Sequence, residues 1–405
     1  MTEPSIDSHR QSPLQVFLVF FQLGLTSFGG PIAHLGYFRD AFVVRRRWFS
    51  EASYADLVAL CQFLPGPASS QVGIGIGLSM AGLPGAVAAW IGFTLPSAVA
   101  LTVFGYGVIA YSDAVSLGAL QGLKIAAVAV VAQALWGMGR SLTPDAPRMT
   151  LAVLAAAVVL VVPSPWAQVA VIIAGGVIGA IALKPDSDEG GEGLTIPVST
   201  RVASASLLLF FLLLIGLPLL AAAYPGQALA LFDAFFRVGS LVFGGGHVVL
   251  PLMQSEVVPP GWVNNESFLA GYGAAQAVPG PLFTFAAYLG TVMNDAPNGW
   301  LGAIIGVLAI FLPSFLLVIG VLPFWSRVRT ATSLRRALVG INAAVVGLLL
   351  AALYDPVWTS SVRSPADFVL AMAAFLLLVF WRTPPWLVVA FAGVAGWLLL
   401  ELPAA

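Results

Sequence analysis

The chain has 405 residues, of which 59% are hydrophobic and only 9% charged, and its formal net charge is −1. A soluble domain carries about a quarter charged residues, so most of this surface faces something apolar, and a mean hydropathy of +0.96 makes that lipid. Near-neutrality excludes a global field that would draw in nucleic acid, and a lone cysteine, Cys61, excludes an intrachain disulfide.

The first twelve residues, MTEPSIDSHRQS, are polar and mixed in charge, unlike the basic start of a cleaved signal. Two interrupted segments follow. Residues 14–46 are split by Gly29–Gly30–Pro31, and residues 52–82 by Pro65–Gly66–Pro67. Each piece is about 12–16 residues, too short to cross a bilayer alone. Uninterrupted apolar segments come next, near 84–111, 117–139, 149–162 and 165–183. The most polar stretch, LKPDSDEGGEGLTIPVSTR, reads as a linker over 184–200. After it, the segment near 203–223 has no counterpart elsewhere, and four more apolar segments fall near 300–325, 337–354, 366–381 and 386–402.

The linker divides an internal repeat. FFQLGLTSFGGP (Phe20–Pro31) matches FFRVGSLVFGGG (Phe235–Gly246), and QFLPGP (Gln62–Pro67) matches QAVPGP (Gln276–Pro281). FTLPS (Phe93–Ser97) matches IFLPS (Ile310–Ser314), and GLKIAAVAVV (Gly122–Val131) matches GINAAVVGLL (Gly340–Leu349). Four matches in one order imply duplication. The pattern divides the chain into a first repeat over 1–183, the acidic linker over 184–200, a linking span over 201–225 and a second repeat over 226–405.

Arginine placement orients the repeats, because positive loops favour the cytoplasm. Arg39, Arg45, Arg46 and Arg47 follow the first interruption, whereas the matching loop QSEVVPPGWVNNE has no Lys or Arg. Arg327, Arg329, Arg335 and Arg336 have no basic counterpart in the first half. All basic loops fall on one side when the interrupted segments are re-entrant and the halves inverted. The expected fold is therefore an all-α polytopic membrane protein of two inverted repeats. Each repeat has two Gly/Pro-broken re-entrant hairpins and about four transmembrane helices, and one further helix links them. The N-terminus is expected in the cytoplasm.

Irregular backbone at membrane depth survives where it lines a cavity, and matching breaks in inverted repeats point to a transport site. Helix starts at such breaks present free N–H groups and the positive dipole end to anions. This marks Gly29, Gly30, Pro31, Gly66, Pro67, Gly245, Gly246, Gly280 and Pro281 as substrate-binding, with Ser69, Ser70, Gln71 and Thr284 as neighbouring donors. Lys124 and Arg237 lie within apolar segments, where a charge is costly. Two cations suit a divalent oxyanion. The alternative is that they snorkel or pair with Asp233, Glu256 or Asp295. His34 and His247 lie just past the two Gly breaks and are the candidates for proton coupling; the alternative for each is a hydrogen-bonded packing role. Asp40, Glu51 and Asp56 flank the basic loop and read as surface pairs, and Cys61 as a small buried thiol. No catalytic residue, metal site or cofactor emerges. There is no HExxH and no Gly-rich phosphate loop with its lysine, which argues against an enzyme or an ATP-driven pump.

The motifs FGGPIAHLGYFRDAFVVRRRWFS (Phe28–Ser50), QFLPGPASSQVGIGIG (Gln62–Gly77), FGGGHVVLPLMQSEVV (Phe243–Val258) and AAQAVPGPLFTFAAYLG (Ala274–Gly290) resemble the long, two-domain form of the chromate transporter family across essentially the whole chain. The resemblance implies secondary active export of chromate from the bacterial cytoplasm through the inner membrane, conferring chromate resistance, with sulfate as the competing anion. Its partners would be that anion and the lipid bilayer. Two alternatives stay open on the residues alone: an importer or exchanger of sulfate or another oxyanion, and an anion channel. A homo-oligomer is also left open.

Overall fold

A computed structural model describes residues 11–110, 117–162, 164–184, 196, 198–243 and 246–401, and all regular structure among them is helical. Gly245 and most of the 184–200 linker lie outside the described residues.

The helices stop where the Gly and Pro clusters stop them. α1 (Pro13–Thr26) opens on a capping box between Ser12 and Gln15 and ends before Ser27. α2 (Gly30–Arg39) starts after Gly29, whose φ of 99° favours glycine. α3 (Glu51–Phe63) is capped by Ser50 and ends at Leu64. α4 (Ala68–Ala110) resumes after the Pro-Gly-Pro turn and is broken again at Ala81–Gly82, where Gly82 has a φ of 63°. That second break separates the interrupted segment from the first long one. α5 (Leu117–Leu142), α6 (Ala146–Val161), α7 (Pro165–Ala182) and α8 (Thr200–Ala223) complete the first series.

The second series runs α9 (Gln227–Leu241), α10 (Val249–Val257), α11 (Asn265–Ala275), α12 (Phe285–Val292), α13 (Gly299–Val321), α14 (Trp325–Val328), α15 (Thr332–Ala352), α16 (Thr359–Ser361), α17 (Pro365–Val379) and α18 (Pro385–Glu401). Its breaks are followed by single 3₁₀ turns, Gly246–Val248 and Leu282–Thr284, rather than by α-helix directly. At the second of these, Thr284 N–H bonds back to Pro281 C=O at 3.0 Å, which tightens the first turn.

Five helical stretches are long and apolar enough to cross a membrane, at residues 68–110, 118–142, 200–223, 299–328 and 332–361. α6, α7, α17 and α18, expected as full spans, are apolar but only 16, 18, 15 and 17 residues long. At 1.5 Å per residue they reach about 22–27 Å, short of a hydrocarbon core of about 30 Å. Prolines at their starts fix where they begin, and the Thr383–Pro384–Pro385 connection consumes residues that a longer α17 or α18 would use.

The packing sets the depth of the breaks. Gln11 N–H reaches Met80 C=O at 3.1 Å, and Gly24 abuts the backbone of Gly92 and Phe93, so α1 runs parallel to the later section of α4. α1 ends level with the middle of that section, and α4 continues beyond Ser97 for about 20 Å. Phe38 and Phe42 of the next segment fold back onto the Phe20 ring, with centroids 5.5 and 5.0 Å away. Tyr106 hydroxyl accepts from Trp300 N–H at 3.1 Å, whereas Trp90 packs on Phe311 and Phe315. The later section of α4 and α13, which carry matching FTLPS and IFLPS motifs, therefore run antiparallel.

Charges outside the apolar stretches pair locally. Arg39 grips Glu51 through two bonds of 2.5 and 2.9 Å, a hydrogen-bonded pair that holds the Glu51 carboxyl below its usual range, and Arg45 pairs with Asp40. Asp56, expected at the surface, is buried. It accepts from Trp325 Nε1 at 2.8 Å and Arg329 at 3.2 Å, which ties α3 to α14.

Close backbone contact gives a stability test. A Cβ at Gly24 would lie 2.7 Å from Gly92 carbonyl oxygen, whereas one at Gly36 meets nothing within 4 Å. Gly24→Ala is expected to lower stability by about 1–3 kcal/mol. Gly36→Ala should raise it by about 0.5–1 kcal/mol through helix propensity. Thermal melts of the purified protein in detergent check both signs.

Candidate functional site

The breaks of the two halves meet. Gly66 N–H donates to Val242 C=O at 2.7 Å, and Gly280 N–H donates to Ser27 C=O at 2.9 Å. Gly66 and Gly280 are matching positions of the repeat, as are Ser27 and Val242. The same bond is thus made twice, each time from the Pro-Gly-Pro turn of one half to the Gly-rich break of the other. A second contact repeats in the same way. A Cβ at Gly66 would sit 2.9 Å from Ser314 Oγ, and one at Gly280 would sit 2.9 Å from Ser97 Oγ. These bonds occupy the very N–H groups that the sequence offers to an anion at Gly66 and Gly280.

Beside this junction lies a cavity of about 400 Å³. Gly29 and Gly30 form one wall, at the start of α2. Ala275, Gln276, Val278, Gly280 and Leu282 form a second, from the end of α11 through the Pro-Gly-Pro turn. Val130 and Gln133 of α5 and the α17–α18 connection, with Arg382 and Thr383, close the rest. His247 projects into it. Its Nδ1 is 3.1 Å from Tyr272 hydroxyl, and its Nε2 faces Gly30, 3.9 Å from where a Cβ there would stand. Gln276 Nε2 is shielded from solvent beside Tyr272. Arg382 is exposed at the edge and, among the described residues, is the one lining residue with a formal charge. Its φ of 52° holds the tight connection between α17 and α18. A larger groove of about 610 Å³ is lined by Phe17, Leu83, Pro84, Val87, Ala88 and Ile91. It is wholly apolar and has no donor for a polar ligand.

The expected site residues divide between this cavity and other places. Gly29, Gly30, Gly280 and His247 line it. Pro31 packs against Gly246, and Thr284 hydroxyl donates to Pro281 C=O at 2.7 Å, so these four support the wall from behind. Gly66, Pro67, Ser69, Ser70 and Gln71 surround the first-half turn and do not line the cavity. His34 is buried behind them, with Nδ1 3.4 Å from Ser69 Oγ and Nε2 3.2 Å from Ser27 C=O.

Neither expected cation reaches the cavity. Lys124 lies 3.6 Å from Glu266, which also holds Arg363 at 3.1 Å. Glu266 starts α11 and Gln276 follows its end, so this pair is about 15 Å from the cavity. Arg237 bonds Asp233 and Glu256, each at 3.0 Å. Two carboxylates around one guanidinium repel a further anion. Arg382, Gln133, Gln276 and Thr383 are polar lining residues that sequence reasoning left out of the site.

The chromate transporter family matches residues 14–180 and again residues 229–397. The chain belongs to that family. It is 28% identical over 400 residues to the chromate transport protein of Pseudomonas aeruginosa, covering 95% of this chain and 92% of that one. It is 24% identical over 385 residues to the chromate transport protein of Cupriavidus metallidurans, with 94% and 92% covered. An uncharacterized transporter of Methanocaldococcus jannaschii is 28% identical over 346 residues, with 84% and 83% covered. No solved structure matches the chain. The two family matches each contain one Gly-rich break and one Pro-Gly-Pro turn, so each family unit brings one partner to both junction bonds.

The Arg237 cluster generates a test that separates a structural cation from a substrate-binding one. Arg237→Ala leaves two carboxylates uncompensated and is expected to cost about 3 kcal/mol. The triple change Arg237→Met, Asp233→Asn and Glu256→Gln should recover most of that loss. Melting temperatures of the three forms decide it.

Proposed function

We propose that the chain is a secondary active transporter that exports chromate across the bacterial cytoplasmic membrane, with the oxyanion bound in the cavity at the helix breaks between two inverted repeats. The observation that carries the reading is the cavity itself. It lies where two breaks of opposite halves touch, and it combines the start of α2, neutral donors from Gln276 and His247, and one arginine at the edge. A guanidinium suits a tetrahedral oxyanion bidentately, and neutral N–H donors complete such a site without over-binding it. The relatives named as chromate transport proteins supply the choice of anion.

Several contacts favour the finer architecture. The antiparallel course of α4 and α13 through matching motifs, and the doubled junction bond, favour inversion of the repeats over 1–183 and 226–405, joined by the 184–200 linker and the 201–225 span. The short α1 ending halfway along α4, and the return of Phe38 and Phe42 onto Phe20, favour re-entrant hairpins. Sidedness follows from the basic residues. Arg329 reaches Asp56 near the 39–47 loop, Arg148 reaches Lys184 C=O, and Gly179 abuts Arg336. These basic segments share one end, which the positive-inside rule assigns to the cytoplasm together with the N-terminus. Arg382 ends the descent of α17 toward that same end, so the cavity is entered from the cytoplasm. Of the two histidines, His247 alone has a ring nitrogen facing the cavity, so proton exchange with the anion falls to it.

Uptake of labelled chromate into inverted membrane vesicles tests the reading, with sulfate as competitor. Arg382→Ala should raise the half-saturating chromate concentration about tenfold or more, and Arg382→Lys should lose less. Undiminished uptake in Arg382→Ala would remove the cavity from the pathway. Cells expressing the protein should accumulate less chromate than cells without it; equal or greater accumulation overturns export. Uptake of sulfate in place of chromate would favour an exchanger for sulfate on the same scaffold.

A further inference from the structure

The two Pro-Gly-Pro turns share a backbone arrangement and differ in polar chemistry. At the second-half turn Thr284 and Ser97 are satisfied, while Ser27 Oγ and Thr94 Oγ1 are buried with no partner among the described residues. Thr284 donates to Pro281 C=O at 2.7 Å and Ser97 donates to Thr94 C=O at 3.1 Å, and Phe283 and Phe285 flank Thr284. The matching first-half positions are Ser69, Ser70 and Gln71, with Ser314 in place of Ser97. Here Ser70 Oγ, Gln71 Oε1 and Ser314 Oγ are buried with no partner among the described residues. Ser70 is 2% exposed, and Gln71 and Ser314 are fully buried.

Two of these side chains, Gln71 and Ser314, meet at Gly66. A Cβ there would meet Gln71 Nε2 at 2.7 Å and Ser314 Oγ at 2.9 Å. Gln71 Nε2 donates to Pro65 C=O at 2.6 Å, which fixes the amide and commits its oxygen to accepting. Ser70 adjoins Gln71 in the first turns of α4. A buried oxygen left without a partner is destabilising.

The chemistry of the set selects its ligand. An amide oxygen cannot donate, so an anion is disfavoured. No group among the three titrates, so a proton has no acceptor there. No carboxylate belongs to the set, so a divalent cation is under-compensated. Neutral oxygens beside unwound backbone are the donor set of a hard monovalent ion. We infer that the first-half Pro-Gly-Pro turn binds a sodium ion through Gln71 Oε1, Ser70 Oγ and Ser314 Oγ, with carbonyls of the unwound residues between Phe63 and Ala68. The ion would brace the hairpin whose Gly66 bonds to Val242. Binding stands independently of which anion is carried; only its effect on flux rests on the transporter reading.

The test uses full-length protein in detergent without chromate. Thermal unfolding is followed while sodium chloride replaces choline chloride or potassium chloride at constant ionic strength. Sodium should raise the melting temperature in a saturable manner, and choline and potassium should not. Gln71→Leu and Ser314→Ala should each weaken the sodium response roughly tenfold or abolish it. Ser314→Ala removes one hydroxyl and keeps the inference testable where Gln71→Leu fails to fold. Equal responses to sodium and choline, equal responses to sodium and potassium, or an unchanged sodium response in Ser314→Ala would each overturn the assignment. Stabilisation by chromate, measured separately in the same variants, should persist. Its loss in wild type would count against the anion cavity and leave the sodium result intact.

Discussion

Backbone polar groups deep in an apolar environment must find partners within the protein, and the two junction bonds are how this chain meets that demand. Each Pro-Gly-Pro turn exposes a glycine N–H, and each Gly-rich break ends a helix whose last carbonyls lack partners. Neither half can satisfy both. Gly66 uses the carbonyl of Val242, and Gly280 uses that of Ser27. The requirement that broken backbone be satisfied thus binds the halves together at the one level where they are irregular. Ser97 and Ser314 lie so close to Gly280 and Gly66 that no larger residue fits there. The glycine requirement and the inter-half contact are the same constraint.

A doubled backbone leaves side chains free to diverge, and they have. The second-half turn carries Phe283 and Phe285 where the first-half turn carries Ser69 and Gln71, so an amide oxygen is left unpaired at the first turn and has no counterpart at the second. The cavity lies beside one junction and not the other. It is walled by α5, α11 and the α17–α18 connection. An identical pair of sites would bind the same ligand twice; divergence allows one scaffold to hold unlike ligands at related positions. The intramembrane charges follow the same logic. Arg237 serves Asp233 and Glu256, and Lys124 serves Glu266, and none of these ties recurs at the matching residues Gln22 and Asn342.

Much of the helix layout could be read from the chain. Gly and Pro interrupt helices for reasons local to each residue, so the ends at Thr26, Phe63, Leu241 and Ala275 fall at the motifs. The break at Ala81–Gly82 falls at the boundary drawn between the 52–82 and 84–111 segments. The site was legible only in part. Gly29, Gly30, Gly280 and His247 sit next to breaks, and sequence adjacency carried them. Arg382 carries no such signal. It lies in a connection between two helices, and only their packing against α5 brings it opposite Gly29. The buried charges misled in a definable way. A charge within an apolar run marks either a site or a partner; the Asp233 and Glu256 partners of Arg237 were the alternative the sequence offered, whereas the Glu266 partner of Lys124 becomes visible only once α11 is placed. Asp56 shows the converse, since a carboxylate beside a basic loop is buried by Trp325, more than 250 residues away in sequence.

The position of Arg382 has one further consequence. A guanidinium buried at the cavity floor would need a fixed counter-charge, as Arg237 does, and would compete for its own anion. At an exposed edge it keeps its hydration while free, and on the proposed reading would lose it only on contact with an anion. The cavity therefore combines a weakly committed charge at its mouth with neutral donors further in. On the proposed reading, a dianion entering such a site would trade solvent and arginine for the Gln276 amide, His247 and the start of α2. None of these holds it with the full strength of a buried ion pair. Transport needs binding that is firm enough to select and loose enough to release. A cavity with its formal charge at the rim meets both demands more readily than one built around Lys124 and Arg237 would.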